Sequence, residues 1–148
     1  MSTFSQIYLH IVFATKDRVP AIEEIAEKDL YRYIGGIIRQ KECRPFEING
    51  VRDHVHILTG MRPRFAASDF VRDIKTSTSL WIGKSGILPA FTGWQDGYGV
   101  FSVSHSNRGK VAEYIRGQKT HHEKISSREE MRQFLEAHGI EFEAKYVR

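Results

Sequence analysis

Asp53-His54-Val55-His56-Ile57-Leu58-Thr59 is the stretch on which the reading of this chain turns, because two histidines one residue apart interrupt an apolar run. Alternate side chains of a strand share a face. His54 and His56 therefore project from one side while Val55 and Ile57 enter a core from the other. Two neutral imidazoles held side by side form half of a metal site. The same pair also reads as histidines satisfied by hydrogen bonds, so the rest of the chain has to decide between the two.

Upstream, Ile7, Leu9, Ile11 and Phe13 alternate with Tyr8, His10 and Val12 between Gln6 and Ala14, the period-two signature of a first strand. Lys16-Asp17-Arg18 is a polar loop, and Pro20 suits the opening turn of a helix. That helix runs to about Gln40 on a stripe of Ile22, Ile25, Ala26, Leu30, Tyr33, Ile34, Ile37 and Ile38. The Gly35-Gly36 pair inside it implies close packing against a sheet. Pro45 to Val51 is a second strand, with Asn49-Gly50 as a turn or bulge.

Downstream of the histidines, Gly60 to Pro63 breaks the chain. A second helix spans about Ala67 to Ile82, on a stripe containing Phe70, Val71, Ile74, Thr78, Trp81 and Ile82. Gly83 to Asp96 is a loop long enough to suggest a working role. Tyr98 to Val103 alternates as a fourth strand. Strand, helix, strand, strand, helix, strand is the split β-α-β order of an α+β, ferredoxin-like sandwich with a four-stranded antiparallel sheet. Its first and third strands are central, so Ile7, Leu9, Val55 and Ile57 belong to the helix-covered core. Tyr8, His10, His54, His56 and Ser102 belong to the open face.

A later helix over about 107–124, capped by Ser106 or Asn107, is the element able to cover that face. Tyr114, Gln118 and His121 fall at i, i+4 and i+7 on one of its sides. Ser127-Arg128-Glu129-Glu130 resembles a capping box, opening a last helix through Met131, Phe134 and Leu135 to Gly139. Ile140 to Arg148 has no clear assignment. One domain of 1–148 follows, with its core over about 5–104, the tyrosine helix over 107–124, and a C-terminal helix and tail over 127–148.

At 148 residues, with 41% apolar and 27% charged residues, the composition is that of a globular protein able to bury a core without staples. A net charge of +4 hints at a polyanionic partner. Cys43 is the only cysteine, which excludes an internal disulfide and a cysteine-based zinc site and fits a reducing cytoplasm. No segment reaches the roughly 20 apolar residues of a membrane span, and no signal peptide is evident.

His54 and His56 with the Gln118 carboxamide oxygen offer three ligands to a divalent cation. Mg²⁺ or Mn²⁺ fits this set, and the imidazoles also accept Zn²⁺ or Co²⁺. His10 is an alternative third ligand, though a hydrogen-bonded neighbour is the favoured reading. Tyr114 is the natural nucleophile if the target is a phosphate. His121 and His122 read as bases, phosphate contacts or solvated residues near a helix end. Lys16, Arg18, Arg52, Lys75, Arg116 and Lys119 read either as contacts to a nucleic-acid backbone or as solvated surface charges, and Trp94 and Tyr98 either stack on bases or pack in the core.

Taken together, Asp53-His54-Val55-His56, Trp94-Gln95-Asp96-Gly97-Tyr98-Gly99 and Tyr114-Ile115-Arg116-Gly117-Gln118 resemble the single-tyrosine HUH transposases of bacterial insertion sequences. The resemblance extends to their REP-associated tyrosine transposase relatives and covers about Tyr8 to His122. It implies a homodimer that cuts and rejoins single-stranded DNA at hairpin-forming element ends, through a 5′-phosphotyrosine. By motif position it makes His54, His56 and Gln118 the ligands of Mg²⁺ or Mn²⁺, and Tyr114 the nucleophile. Lys75 to Trp81 and Asp17 depart from the family's pattern. The rival is a non-catalytic nucleic-acid-binding module of the RNA-recognition type, which stacks bases on aromatic residues of its central strands. Here histidines stand where that platform belongs.

Overall fold

The computed structural model describes residues 1–141 and 143; residues 142 and 144–148 of the expected tail lie outside the described residues. Four strands, β1 (Tyr8–Ala14), β2 (Pro45–Val51), β3 (His54–Gly60) and β4 (Gly99–Val103), form one antiparallel sheet in the order β2-β3-β1-β4. The expected central pairing of β1 with β3 is present, with Ile11 opposite Ile57 and Val12 opposite His56.

Two long helices, α1 (Glu24–Gln40) and α2 (Ala67–Ser85), cover one face. Leu9, Ile11, Phe13, Val55 and Ile57 meet Leu30, Ile34 and Ile38 of α1 and Phe70, Val71 and Ile74 of α2 in the main core. Most of these side chains are fully buried, and each contributes roughly 1.5–3 kcal/mol of apolar burial. α1 begins later than its apolar pattern suggests. Ala21 and Ile22 are buried ahead of its first turn, whereas Ile25 lies outside the core and is exposed. Gly35 and Gly36 do not abut the sheet: a Cβ at Gly35 meets only the Arg39 side chain, and one at Gly36 meets nothing within 4 Å.

The second face is covered by α3 (Arg108–Arg116), α4 (Gln118–His121) and α5 (Ser127–Ala137). Leu58 of β3 packs there against Ala112 and Ile115 of α3, with Phe46, Val103 and Tyr114 around them. The expected single helix over 107–124 is thus two helices joined at Gly117, after a 3-10 turn at His105–Asn107. α5 is capped by Ser126, whose side chain accepts from the Glu129 amide, one residue before the expected cap.

β4 corrects another expectation. Phe101 lies opposite His10 and Val103 opposite Tyr8, so these two residues share the histidine face, while Ser102 lies opposite Leu9 and is exposed. A one-residue slip flips every side chain of a strand, and Val100-Phe101-Ser102-Val103 is apolar enough to alternate in either phase.

The long loop after α2 is fastened to the body. Leu88 is buried, and Trp94 donates to Thr78 Oγ1 at 2.9 Å while packing on Phe13 and Phe91, so Trp94 is a core residue. Asn49-Gly50 is no turn, because β2 runs through it and the hairpin turns at Arg52-Asp53. Gly50 is required there by space, since a Cβ would overlap the carbonyl oxygen of His54 across the pair. Gly50→Ala is therefore expected to lower unfolding stability by about 1–3 kcal/mol, measured by urea denaturation, with Gly36→Ala as the neutral or slightly stabilising control.

Candidate functional site

β3 delivers His54 and His56 to the covered face almost wholly buried, at 1% and 0% exposure. Each ring is held from behind by its Nδ1. His54 Nδ1 lies 2.7 Å from Asp53 Oδ1, and Ser127 Oγ is within 3.2 Å of both groups. His56 Nδ1 lies 2.8 Å from His10 Nε2. His10 is accordingly the hydrogen-bonded neighbour, and its orienting contact leaves the Nε2 atoms of both strand histidines turned towards one point. Such back-side partners fix the tautomer and ring orientation of ligating histidines.

That point is occupied by a residue the sequence reading missed as functional. Glu130 of α5 is 3% exposed, and its carboxylate meets His54, His56, Tyr114, Gln118, His121 and His122. Oε1 lies 2.9 Å from His56 Nε2 and 3.4 Å from His54 Nε2. Oε2 accepts from the Tyr114 hydroxyl in a short hydrogen bond and from Gln118 Nε2 at 3.2 Å. His122 Nε2 is 3.1 Å and His121 Nε2 3.3 Å from the same oxygen, so these two histidines face the site instead of solvent. The signal that was available was acidic side chains inside a capping box, where the usual role is to bond the helix start.

Tyr114 and Gln118 keep their one-turn relationship across the break at Gly117, because the amide of Gly117 still bonds the Glu113 carbonyl and that of His121 bonds Gly117. Tyr114 reaches the histidines of its own chain.

Three buried atoms of this cluster have no hydrogen-bond partner: His54 Nε2, Gln118 Oε1 and His121 Nε2. Orphaned buried polar atoms are rare and costly. The His54 nitrogen and the Gln118 carboxamide oxygen, left bare beside the His56 imidazole, are a donor set that suits a divalent cation. One ligand atom from each of His54, His56, His122 and Glu130 also lies within 4.8 Å of all the others.

Burial works against ionisation of Glu130, but the His122, His54 and His56 imidazoles around it outweigh it and hold its pKa well below the usual carboxylate range. Burial pushes His56 down to about 4 and His10 to about 3, so both are neutral at physiological pH. His54 is raised, since its hydrogen bond to Asp53 and the nearby Glu130 carboxylate outweigh the opposing cost of burial. Burial and the adjacent Glu130 push the Tyr114 phenol up, so the resting side chain is the phenol.

Of the basic candidates, Lys16 and Arg52 are exposed. Lys75 donates to the carbonyls of Gln95 and Gly97 at 2.8 and 2.9 Å, tying down the long loop. Arg116 pairs with Glu47, and Lys119 with Glu27 and Asn49. Arg18 lines a cavity of about 410 Å³ that opens beside His54 and is walled by Gln95 to Gly99, including Tyr98, and by Met131 and Leu135.

A family model described as IS200-like transposase matches residues 3–118. The ISDra2 transposase TnpA of Deinococcus radiodurans is 26% identical over 121 residues, which is 76% of this chain and 84% of that protein. The crystal structure of a putative transposase from Deinococcus radiodurans superposes with a TM-score of 0.64 at 24% identity, covering 80% of this chain and 95% of that one. A REP-associated tyrosine transposase solved with a REP hairpin superposes with a TM-score of 0.62 at 14% identity, covering 84% and 76%. At these identities the two structures speak to the shared fold. α5 and Glu130 lie beyond the residues matched by the family model.

The buried charges also set a pH dependence. His10 and His56 take up protons near 6.5 when unfolded but only at about 3 and 4 when folded, so the unfolded state gains protons first and stability falls as pH drops below 6.5. Glu130, depressed in the fold, loses its contribution in the same direction; His54, raised, opposes them singly. The metal-free protein should therefore melt at a lower temperature at pH 4.5 than at pH 7.5, with a shallower decline for His10→Asn. A flat profile would contradict neutral burial of these rings.

Proposed function

We propose, from the premise that this chain belongs to the family of IS200-like transposases, that it cleaves and rejoins single-stranded DNA with Tyr114 as the nucleophile. The observation that carries this reading is the convergence of the Tyr114 hydroxyl, the Gln118 amide and the Nε2 atoms of His54 and His56 on a single buried point. The opposite reading, bases stacked on an open sheet, needs an uncovered face, and here α3, α4 and α5 lie over it.

His54 and His56, with Gln118, would hold the cation, Mg²⁺ or Mn²⁺, which when bound supplies Lewis-acid polarisation of phosphoryl oxygens. Asp53 and His10 keep the two imidazoles aimed. Gln118, fully buried and one turn from Tyr114, donates to the same Glu130 oxygen that accepts from the tyrosine hydroxyl. The Tyr114 oxygen attacks the scissile phosphorus in line; its O–P bond forms and the phenolic proton departs as the bond to the 3′ oxygen breaks. That oxygen takes a proton and leaves as a 3′-OH, while the 5′ phosphate stays on the tyrosine.

The ester retains the energy of the broken bond, so a 3′-OH from a second strand can reverse the attack and join the strands without a nucleotide cofactor. Because the phenol is raised well above neutrality, its proton has to be removed during attack and not beforehand. Lys16, Arg52 and Arg18 are the side chains offered to the DNA backbone, with hairpin-forming element ends as the substrate, a homodimer as the working unit and the cytoplasm as the compartment.

Tyr114→Phe should abolish covalent protein–DNA adducts on labelled single-stranded hairpin substrates, read by denaturing gel, while leaving DNA binding within about threefold. Adducts persisting in this variant would sink the assignment.

A further inference from the structure

Resting on the metal reading above and extending it, we infer that Glu130 is itself a cation ligand, joined by His122, and that the same carboxylate holds the nucleophile. Its two oxygens divide the work. Oε1 faces His54 Nε2 and His56 Nε2 at 3.4 and 2.9 Å, whereas Oε2 accepts from the Tyr114 hydroxyl and from Gln118.

Ligand bonds of roughly 2.1 Å put neighbouring ligand atoms roughly 3.0–3.4 Å apart in octahedral or tetrahedral shells. The separations around Oε1 are of that size. The contact with His54 is also poor as a hydrogen bond, since Nε2 remains without a partner of acceptable geometry despite being buried. A cation between these atoms supplies the missing partner. His122, only 9% exposed at its side chain, completes the group of four whose ligand atoms lie mutually within 4.8 Å.

Glu130 sits on α5, an element otherwise fastened near the site by Ser127 against Asp53 and His54 and by Phe134, which stacks on Phe101 and packs edge-on against His10. A ligand on this helix makes its docking and cation binding one equilibrium, because the carboxylate reaches the histidines only when α5 is seated. The cation then orders the helix that carries the acceptor for Tyr114. In this arrangement the C-terminal helix is part of the catalytic centre, although it lies beyond the portion shared with the family model.

Titration of the full chain with Mn²⁺ alone, by calorimetry, tests this with Glu130→Gln, His122→Ala and the His54→Ala/His56→Ala double variant. Glu130→Gln preserves shape and one acceptor oxygen while removing the charge, and should weaken Mn²⁺ binding at least tenfold. His122→Ala should weaken it in the same direction, and the double variant should bind none. Hydrogen exchange over residues 127–137 should slow with Mn²⁺ in the unsubstituted protein and stay unchanged by the metal in Glu130→Gln. If Glu130→Gln binds Mn²⁺ as tightly or more tightly, the carboxylate occupies the place of the cation and the inference is wrong while the metal reading stands. If the unsubstituted protein binds no Mn²⁺, both fall together.

Discussion

β3 has to satisfy two different surfaces with one alternation, and everything else in the molecule is arranged around that. Its odd side chains, Val55 and Ile57, complete an aliphatic core under α1 and α2, while its even ones, His54 and His56, are carried into a second, polar interior under α3, α4 and α5. Because a strand's period is two, neither set can move without moving the other. The rigidity of the apolar side therefore becomes positional accuracy on the histidine side. Pairing with β1 extends the arrangement, placing His10 where it supports His56.

The second interior holds a desolvated carboxylate and several imidazoles, which would be prohibitive if unpaired. Glu130 is tolerated because donors approach both of its oxygens. Coupling of this kind is cooperative: removing any one member exposes the cost of the others. It also makes the position of Tyr114 a property of the cluster and not of its own helix. A tyrosine anchored at its hydroxyl by a carboxylate beside two aimed histidines is held by the same contacts that stabilise the polar interior.

The basic side chains divide along a similar line. Lys75, Arg116 and Lys119 are engaged within the chain, holding the long loop and the β2 edge. Lys16 and Arg52 remain exposed, and Arg18 lines the cavity beside His54. Positive charge in the composition was thus partly structural, a distinction that residue counts cannot make.

The amino-acid sequence by itself determined the sheet, its strand order, the two core helices and the shared face of His54 and His56, because each follows from local periodicity. It also singled out Tyr114 and Gln118, since their one-turn spacing is a local property that outlasted the break at Gly117. Tertiary structure decided the rest. The phase of β4 was ambiguous because apolar residues occupy both of its faces, and pairing with β1 chose Phe101 over Ser102. His10 became a support for His56 because β1 and β3 run side by side. Glu130 was indistinguishable from a helix-capping acid until α5 docked, for its partners come from β3, α3 and α4 and the residue that follows α4. A periodic pattern records which side of an element is apolar, but not which distant polar groups that side will meet.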